Sequence, residues 1–406
     1  MSIKLLTPAQ ATAYKKLNVN TYDTPDGISG DRIILSLDGG GIRGILTLQL
    51  LMKIEEIAGM PCYELCDMVA GTSTGAIIAG LMVGGNSAAQ IEKMYVSFVT
   101  RVFTKRSIIS DCVIDPPHYD KAQYRSDLKQ ELQDRTMQQA CSSSGLDLLI
   151  SAKDMTVNQE TFFTCFNHPD GCKGTYKDAL LRIVMEATMS APTYFKALGR
   201  YLDGGTTVYN NPSVAAYMEA TEYDGKEKYD ADKITVFSLG TGRYSQCISP
   251  EDAAHPKGID ILFWFKYMIK TSIQDANAMQ SDLFRSKVFN HVDYRRFQVS
   301  LDARTMQLLP DREITVRHFG MTVKQRLHDL TDDHLNGIEL DDVEKFDLMK
   351  DIGGAFVDYV MIKNKFTNDL NDTPSGKDEL VTQVDDITDT LRELTNIEWL
   401  ESQTTG

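Results

Sequence analysis

Met68-Val69-Ala70-Gly71-Thr72-Ser73-Thr74-Gly75-Ala76-Ile77-Ile78-Ala79 runs from a short apolar strand, through a glycine-bounded turn, into a helix of small apolar residues. The G-x-S-x-G pattern at Gly71–Gly75 puts a serine where a strand turns sharply into a helix. The outer glycines suit a turn whose backbone segments approach too closely for a Cβ. A serine so placed projects from the top of a sheet at a helix N-terminus, where the helix dipole favours an alkoxide. Short matches of this kind also arise by chance, so the surrounding sequence decides the reading.

Upstream, Arg32-Ile33-Ile34-Leu35-Ser36-Leu37 reads as a buried strand closed by Asp38 and three glycines. A helix from Ile45 to Ile57 follows, with Leu46, Leu50, Ile54 and Ile57 on one face. Strand, turn and helix thus occur twice between residues 32 and 83, which predicts an α/β sheet with parallel strands. Further strands are expected at 146–152, 161–166 and 234–239, and a helix at 176–189.

The turn Asp38-Gly39-Gly40-Gly41-Ile42-Arg43-Gly44 contains a G-x-G-x-x-G dinucleotide fingerprint. That reading also needs an acidic residue at the end of the next strand, about twenty residues on. Here the interval holds Glu55 and Glu56 inside a helix, and no Gly-Lys-Ser/Thr of a phosphate loop follows. Consecutive glycines before a helix instead offer backbone N–H groups unobstructed by side chains, as an oxyanion hole requires. Arg43 either holds this loop by pairing with a carboxylate or faces a substrate phosphate.

A serine nucleophile needs a base. None of the seven histidines (118, 168, 255, 291, 318, 328 and 334) lies in a glycine-flanked turn after a clear strand. Tyr201-Leu202-Asp203-Gly204-Gly205 does: an acid ends a short strand and two glycines follow. An aspartate touching the hydroxyl directly can serve as base if a dry site raises its pKa. The alternative is an Asp-Gly turn without chemistry.

In this order the three motifs resemble the patatin-like phospholipase family, with a D-G-G-G-x-R-G turn, a G-x-S-x-G elbow and a D-G-G/A turn. Ala191–Phe195, Asn210-Asn211-Pro212 and Ser238–Gly242 strengthen the likeness, which covers roughly residues 30–245. It implies a patatin-like three-layer α/β sandwich: a central, mostly parallel sheet flanked by helices, plus C-terminal helices. It also implies hydrolysis of lipid acyl esters by a Ser–Asp dyad, without metal or cofactor. Ser73 would be the nucleophile and Asp203 its base, with the Gly39, Gly40 and Gly41 amides, beside Arg43, as oxyanion hole. Asp38, Gly44, Gly71, Thr72, Thr74, Gly75, Gly204 and Gly205 complete the motifs. Some relatives of this kind are bacterial effectors that act on membranes after an activator binds. A regulated effector and an esterase for non-membrane acyl esters are therefore the alternatives.

The expected domains are an N-terminal leader (1–30) packing on the body, a catalytic domain (31–320) and a C-terminal helical extension (321–406). With 42% hydrophobic and 24% charged residues the chain is expected to be globular. Its net charge of -15 argues against nucleic acid as substrate. Seven scattered cysteines imply neither a disulfide framework nor a zinc site. Without a signal-peptide run or a membrane-spanning stretch, a soluble cytoplasmic protein peripheral to the membrane is expected, though an exported effector would read the same.

Three later segments bear on partners. Ile261–Lys270, with Phe263, Trp264, Phe265, Lys266 and Tyr267, suits either a core helix with a snorkelling lysine or a helix at a lipid interface. The acidic stretch 331–350 reads as a solvated helical face. Leu380, Val384, Ile387, Leu391 and Leu394 form a two-heptad seam. The seam either packs on the domain or binds an activator or a second copy of the chain.

Overall fold

The computed structural model describes residues 4–103, 119, 121–166, 176–192, 194–223, 225, 226, 228–244, 260–318, 321–335, 338–362 and 379–380. In chain order the first elements are α1 (Pro8–Lys16), β1 (Thr21–Thr24), β2 (Gly27–Gly30), β3 (Arg32–Leu37), α2 (Gly44–Ala58), α3 (Cys62–Leu65), β4 (Met68–Thr72) and α4 (Thr74–Val83). Next come α5 (Ala88–Val102), α6 (Ala122–Leu132), α7 (Met137–Ser144), β5 (Asp147–Asp154), β6 (Gln159–Thr164), α8 (Leu181–Thr188), β7 (Tyr201–Asp203), α9 (Ser213–Thr221), β8 (Ile234–Leu239) and β9 (Arg243–Tyr244). The last are α10 (Asp260–Phe284), β10 (Asp293–Leu301), α11 (Ala303–Met306), β11 (Glu313–His318), β12 (Met321–Arg326), α12 (Asp332–Leu335), α13 (Phe346–Ile362) and β13 (Glu379–Leu380).

The central sheet has the order β13-β10-β8-β3-β4-β5-β6, with β7 on β5 and β9 on β10. Pairing is parallel from β13 to β5, and β6 and β7 join β5 antiparallel. Strand β3 shows why the sheet is buried on both faces. Its side chains alternate: Ile33, Leu35 and Leu37 enter the core beneath α2, α4 and α5, while Ile34 enters a second core with Ala216, Tyr217 and Phe284 of α9 and α10. Helices, sheet and helices make the three layers expected from sequence.

Some expectations shift. The helix expected at 176–189 starts at Leu181 and ends at Thr188, and the strand expected at 161–166 is Gln159–Thr164. The stretch from 321 opens on a strand, since β11 and β12 form an antiparallel hairpin. β11 lies against α13, which packs along α2. Residues 331–350 are not one solvated helical face: Leu335 and Ile338 are buried, and only short helical turns precede α13. Leu380 lies in β13, parallel to β10, instead of opening a helix. The rest of the heptad seam lies outside the described residues.

The N-terminal segment is built into the body. Thr7 and Gln10 close a capping box on α1, and Tyr14 and Leu17 are fully buried. The Arg295 guanidinium donates to the Leu17 and Asn18 carbonyls and pairs with Asp293. Cys62, Cys66, Cys141 and Cys165 are free thiols.

The neighbouring Arg296 holds the other end of the sheet. It is 1% exposed, and its two terminal nitrogens donate to the two Asp38 oxygens at 2.7 and 2.5 Å, with Ser238 Oγ at 2.9 Å. This fork ties β10 to the residue that opens the glycine turn after β3. Arg296→Met should leave the Asp38 carboxylate buried without its cation and cost about 3–5 kcal/mol. The measurement is the urea midpoint at unchanged slope, and a shift worth less than about 0.5 kcal/mol would show that the fork contributes nothing net.

Candidate active site

Ser73 sits between the last residue of β4 and the first of α4 with φ 53° and ψ −121°, a conformation that L-residues rarely hold. The cost, of order 1–3 kcal/mol, is sustained by the packing around it. A Cβ on Gly71 would lie 2.6 Å from the backbone of Ala76, and one on Gly75 would lie 2.3 Å from the Leu37 carbonyl oxygen. The flanking threonines lock the turn. Thr72 Oγ1 donates to the Tyr209 carbonyl and is hydrogen-bonded to Ser151 Oγ, and Thr74 Oγ1 accepts the Gly40 N–H. The Ser73 N–H donates to Thr188 Oγ1, which in turn donates to the Ser151 carbonyl. The serine side chain is left half-buried above the sheet.

The register of β5 brings the acid to it. Thr72 pairs with Ser151, and Asp203 pairs with Ala152, the next residue along. Ser73 Oγ therefore donates to Asp203 Oδ2 at 2.7 Å, while Asp203 Oδ1 accepts the Gly205 N–H at 2.7 Å. Asp203 is 4% exposed. Burial pushes its carboxyl up to about 6, against the opposing pull of the Ser73 and Gly205 hydrogen bonds and the Lys121 charge. His291, His328 and His334 are engaged elsewhere, with Tyr217, the Leu309 carbonyl and Thr331. His318 is on β11, with its side chain outside the described set, as are residues 118, 168 and 255.

The glycine turn arrives beside the serine, but its amides differ. Gly39 N–H donates to the Asn210 carbonyl and Gly40 N–H to Thr74 Oγ1. Gly41, at φ +57°, has no hydrogen-bond partner for its N–H among the described residues. Of the three expected donors, Gly39 and Gly40 thus have internal acceptors here, and the Gly41 amide has none among the described residues. Gly44 lies against the Tyr95 hydroxyl, which donates to the Gly41 carbonyl. Arg43 holds the loop through carbonyl oxygens. Its guanidinium donates to the Gly242 and Gly40 carbonyls and stacks 4.6 Å from the Tyr244 ring, which braces the loop internally.

Residues 35–217 match the family model for the patatin-like phospholipase. Over these residues the chain is similar to the patatin-like phospholipases. All three motifs of this patatin-like domain fall inside the match. The cUMP-AMP-activated phospholipase of Escherichia coli is 32% identical over 226 residues, 52% of this chain and 65% of that protein. The 85/88 kDa calcium-independent phospholipase A2 of Rattus norvegicus is 29% identical over 232 residues, 52% of this chain and 27% of that protein. The cGAMP-activated phospholipase of Escherichia coli (strain TW11681) is 28% identical over 221 residues, 52% of this chain and 61% of that protein. The chain spans less than two thirds of each of these relatives.

Three participants carry no sequence signal. Thr188 holds the elbow amide from α8. Lys121, which precedes α6, brings a buried charge toward Asp203. Leu340 accepts the Ile42 N–H, and its carbonyl oxygen would lie 2.1 Å from a Cβ on Gly41. Gly41→Ala should therefore lose at least the left-handed penalty of about 1–2 kcal/mol and displace the 338–342 segment. Hydrogen exchange at the Ile42 amide reports it, and unchanged protection there would contradict this packing.

Proposed function

We propose that the protein is a serine-dependent lipid acyl hydrolase acting through Ser73 and Asp203. The observation that carries the reading is the 2.7 Å hydrogen bond from Ser73 Oγ to a buried carboxylate at the N-terminus of α4. A carboxylate in water is too weak a base for an alcohol. Burial strengthens this one, and the 2.7 Å contact removes the need for an intervening imidazole.

In this mechanism Ser73 Oγ attacks the ester carbonyl carbon as its proton passes to Asp203 Oδ2. The negative charge on the former carbonyl oxygen faces the Gly41 amide and the positive end of the α4 dipole. Collapse breaks the bond to the alcohol, which leaves with the proton from Asp203. Water then adds to the acyl-serine, giving its proton to Asp203, and the acid departs as Ser73 recovers the proton. No residue of the described set is asked to hold a metal.

Membrane lipids are the substrate class that family and surface support together. Helix α10 runs beside the 204–206 turn, with Trp264 and Tyr267 half-buried and Met268 and Met279 each 55% exposed. Exposed apolar side chains on a helix that touches the turn after Asp203 suit docking at a lipid interface. Among the described residues no helix is long and apolar enough to cross a membrane. Two of the relatives are named for activation by a nucleotide, and by that analogy an activator for this chain is part of the proposal.

Release of fatty acid from mixed phospholipid vesicles without added metal is the direct test. Ser73→Ala and Asp203→Ala should each lose on the order of 10^4-fold or more in kcat, and either variant keeping wild-type turnover would end the assignment. The base must be ionised to act. kcat/KM should therefore be level above the Asp203 value of about 6 and fall as pH drops through it. A profile flat down to pH 4 would mean that another group takes the proton.

A further inference from the structure

Behind Asp203 lies a buried charge cluster assembled from three elements. The Lys121 side chain is 7% exposed, and its ammonium donates to Ser190 Oγ at 2.7 Å. Ser190 accepts the Asp203 N–H on its backbone carbonyl at 3.1 Å and donates its hydroxyl to the Glu186 carbonyl. The one residue thus touches both the lysine and the backbone of the base.

The charges decide what the ammonium is for. Glu186, on α8, is also buried, and a lone pair of buried carboxylates would be costly. Arg125 of α6 neutralises Glu186 through two bonds, Nε to Oε2 at 2.8 Å and Nη2 to Oε1 at 2.6 Å. Lys121 stands farther from Glu186, at 3.5 Å. Glu186 thus has a closer guanidinium, and among the described residues Lys121 is the cation whose charge also acts on Asp203. Among the described residues, other ionisable groups on the neighbouring elements have partners of their own. Tyr124 donates to the Met185 carbonyl, Asp154 of β5 pairs with Arg200, and Lys153 points to Glu160.

We infer that Lys121 is a positioning residue of the dyad, the buried counter-charge that keeps Asp203 anionic and, through Ser190, fixes the strand end that carries it. The inference rests on the dyad reading above and names a regulator of that same site. In keeping with it, the Lys121 charge pulls the Asp203 carboxyl down against burial; desolvation lowers the lysine's own pKa, opposed by Glu186 first and by Asp203 after it. An ammonium that is expensive to bury is retained where it favours the ionised form of the base.

The test reads the pH dependence of Ser73 labelling by a fluorophosphonate, which needs neither lipid nor activator. Labelling forms the Ser73 Oγ–P bond, expels fluoride and sends the serine proton to Asp203. In Lys121→Met the acid limb of the labelling rate should move up by about one pH unit or more, with the rate recovering at alkaline pH. Lys121→Arg, which keeps the charge, should leave the limb near its wild-type position. If Lys121→Met does not fold, Arg125→Gln at the half-exposed edge serves instead. Freed from its guanidinium, Glu186 then competes for the lysine charge, and the limb should again rise. A folded Lys121→Met, or Arg125→Gln, with an unmoved limb overturns the inference. Failure of the dyad itself looks different: label would be absent from Ser73 in the wild type, or Asp203→Asn would label at the wild-type rate.

Discussion

Strand β5 shares its length between two partners on one side: Asp147–Ser151 pair in parallel with β4, and Ala152–Asp154 pair antiparallel with β7. The last residue of β4 and the last residue of β7 therefore meet adjacent residues of the same strand. Side chains alternate along a strand, so a slip of one residue in β7 would turn the Asp203 carboxylate to the other face. The serine hydroxyl and the carboxylate meet because the register of a third strand, itself without reacting groups, brings them together.

The elbow and the glycine turn are each strained or crowded, and distant segments stabilise both. Arg296 reaches Asp38 from β10, Thr188 reaches the Ser73 amide from α8, Asn210 accepts from Gly39, and Leu340 accepts from Ile42. These partners leave one amide of the three-glycine turn uncommitted among the described residues. Backbone donors buried without acceptors are costly, so folding satisfies those it can.

Much of the α/β body was legible in the chain. β3, β4 and β8 fall where runs such as Arg32–Leu37 and Ile234–Leu239 lie, because a strand buried on both faces must be apolar throughout. Periodicity was less informative where a segment is edge-placed or exposed. β12, Met321-Thr-Val-Lys-Gln-Arg326, is largely exposed and shows no apolar face, so its pairing with β11 comes from tertiary context. Leu380 fits a heptad by spacing yet occupies an edge strand, since spacing alone does not say which neighbour a leucine will find. The acidic stretch near 340 reads as solvated by charge, but Ile338 and Leu335 anchor it and Asp341 accepts from Tyr119.

The sequence by itself determined the order and identity of the motifs, the α/β class and Ser73 as the residue on the elbow. Those follow from local demands: glycines where backbone crowds, small apolar residues where a helix is wholly buried, and an acid before a glycine turn. Only the tertiary structure decided that Asp203 reaches Ser73, that its carboxyl is shifted to about 6, that Arg43 braces the loop and that Lys121 stands behind the acid. Desolvation and through-space charge are sums over segments far apart in the chain, and no local pattern encodes such a sum.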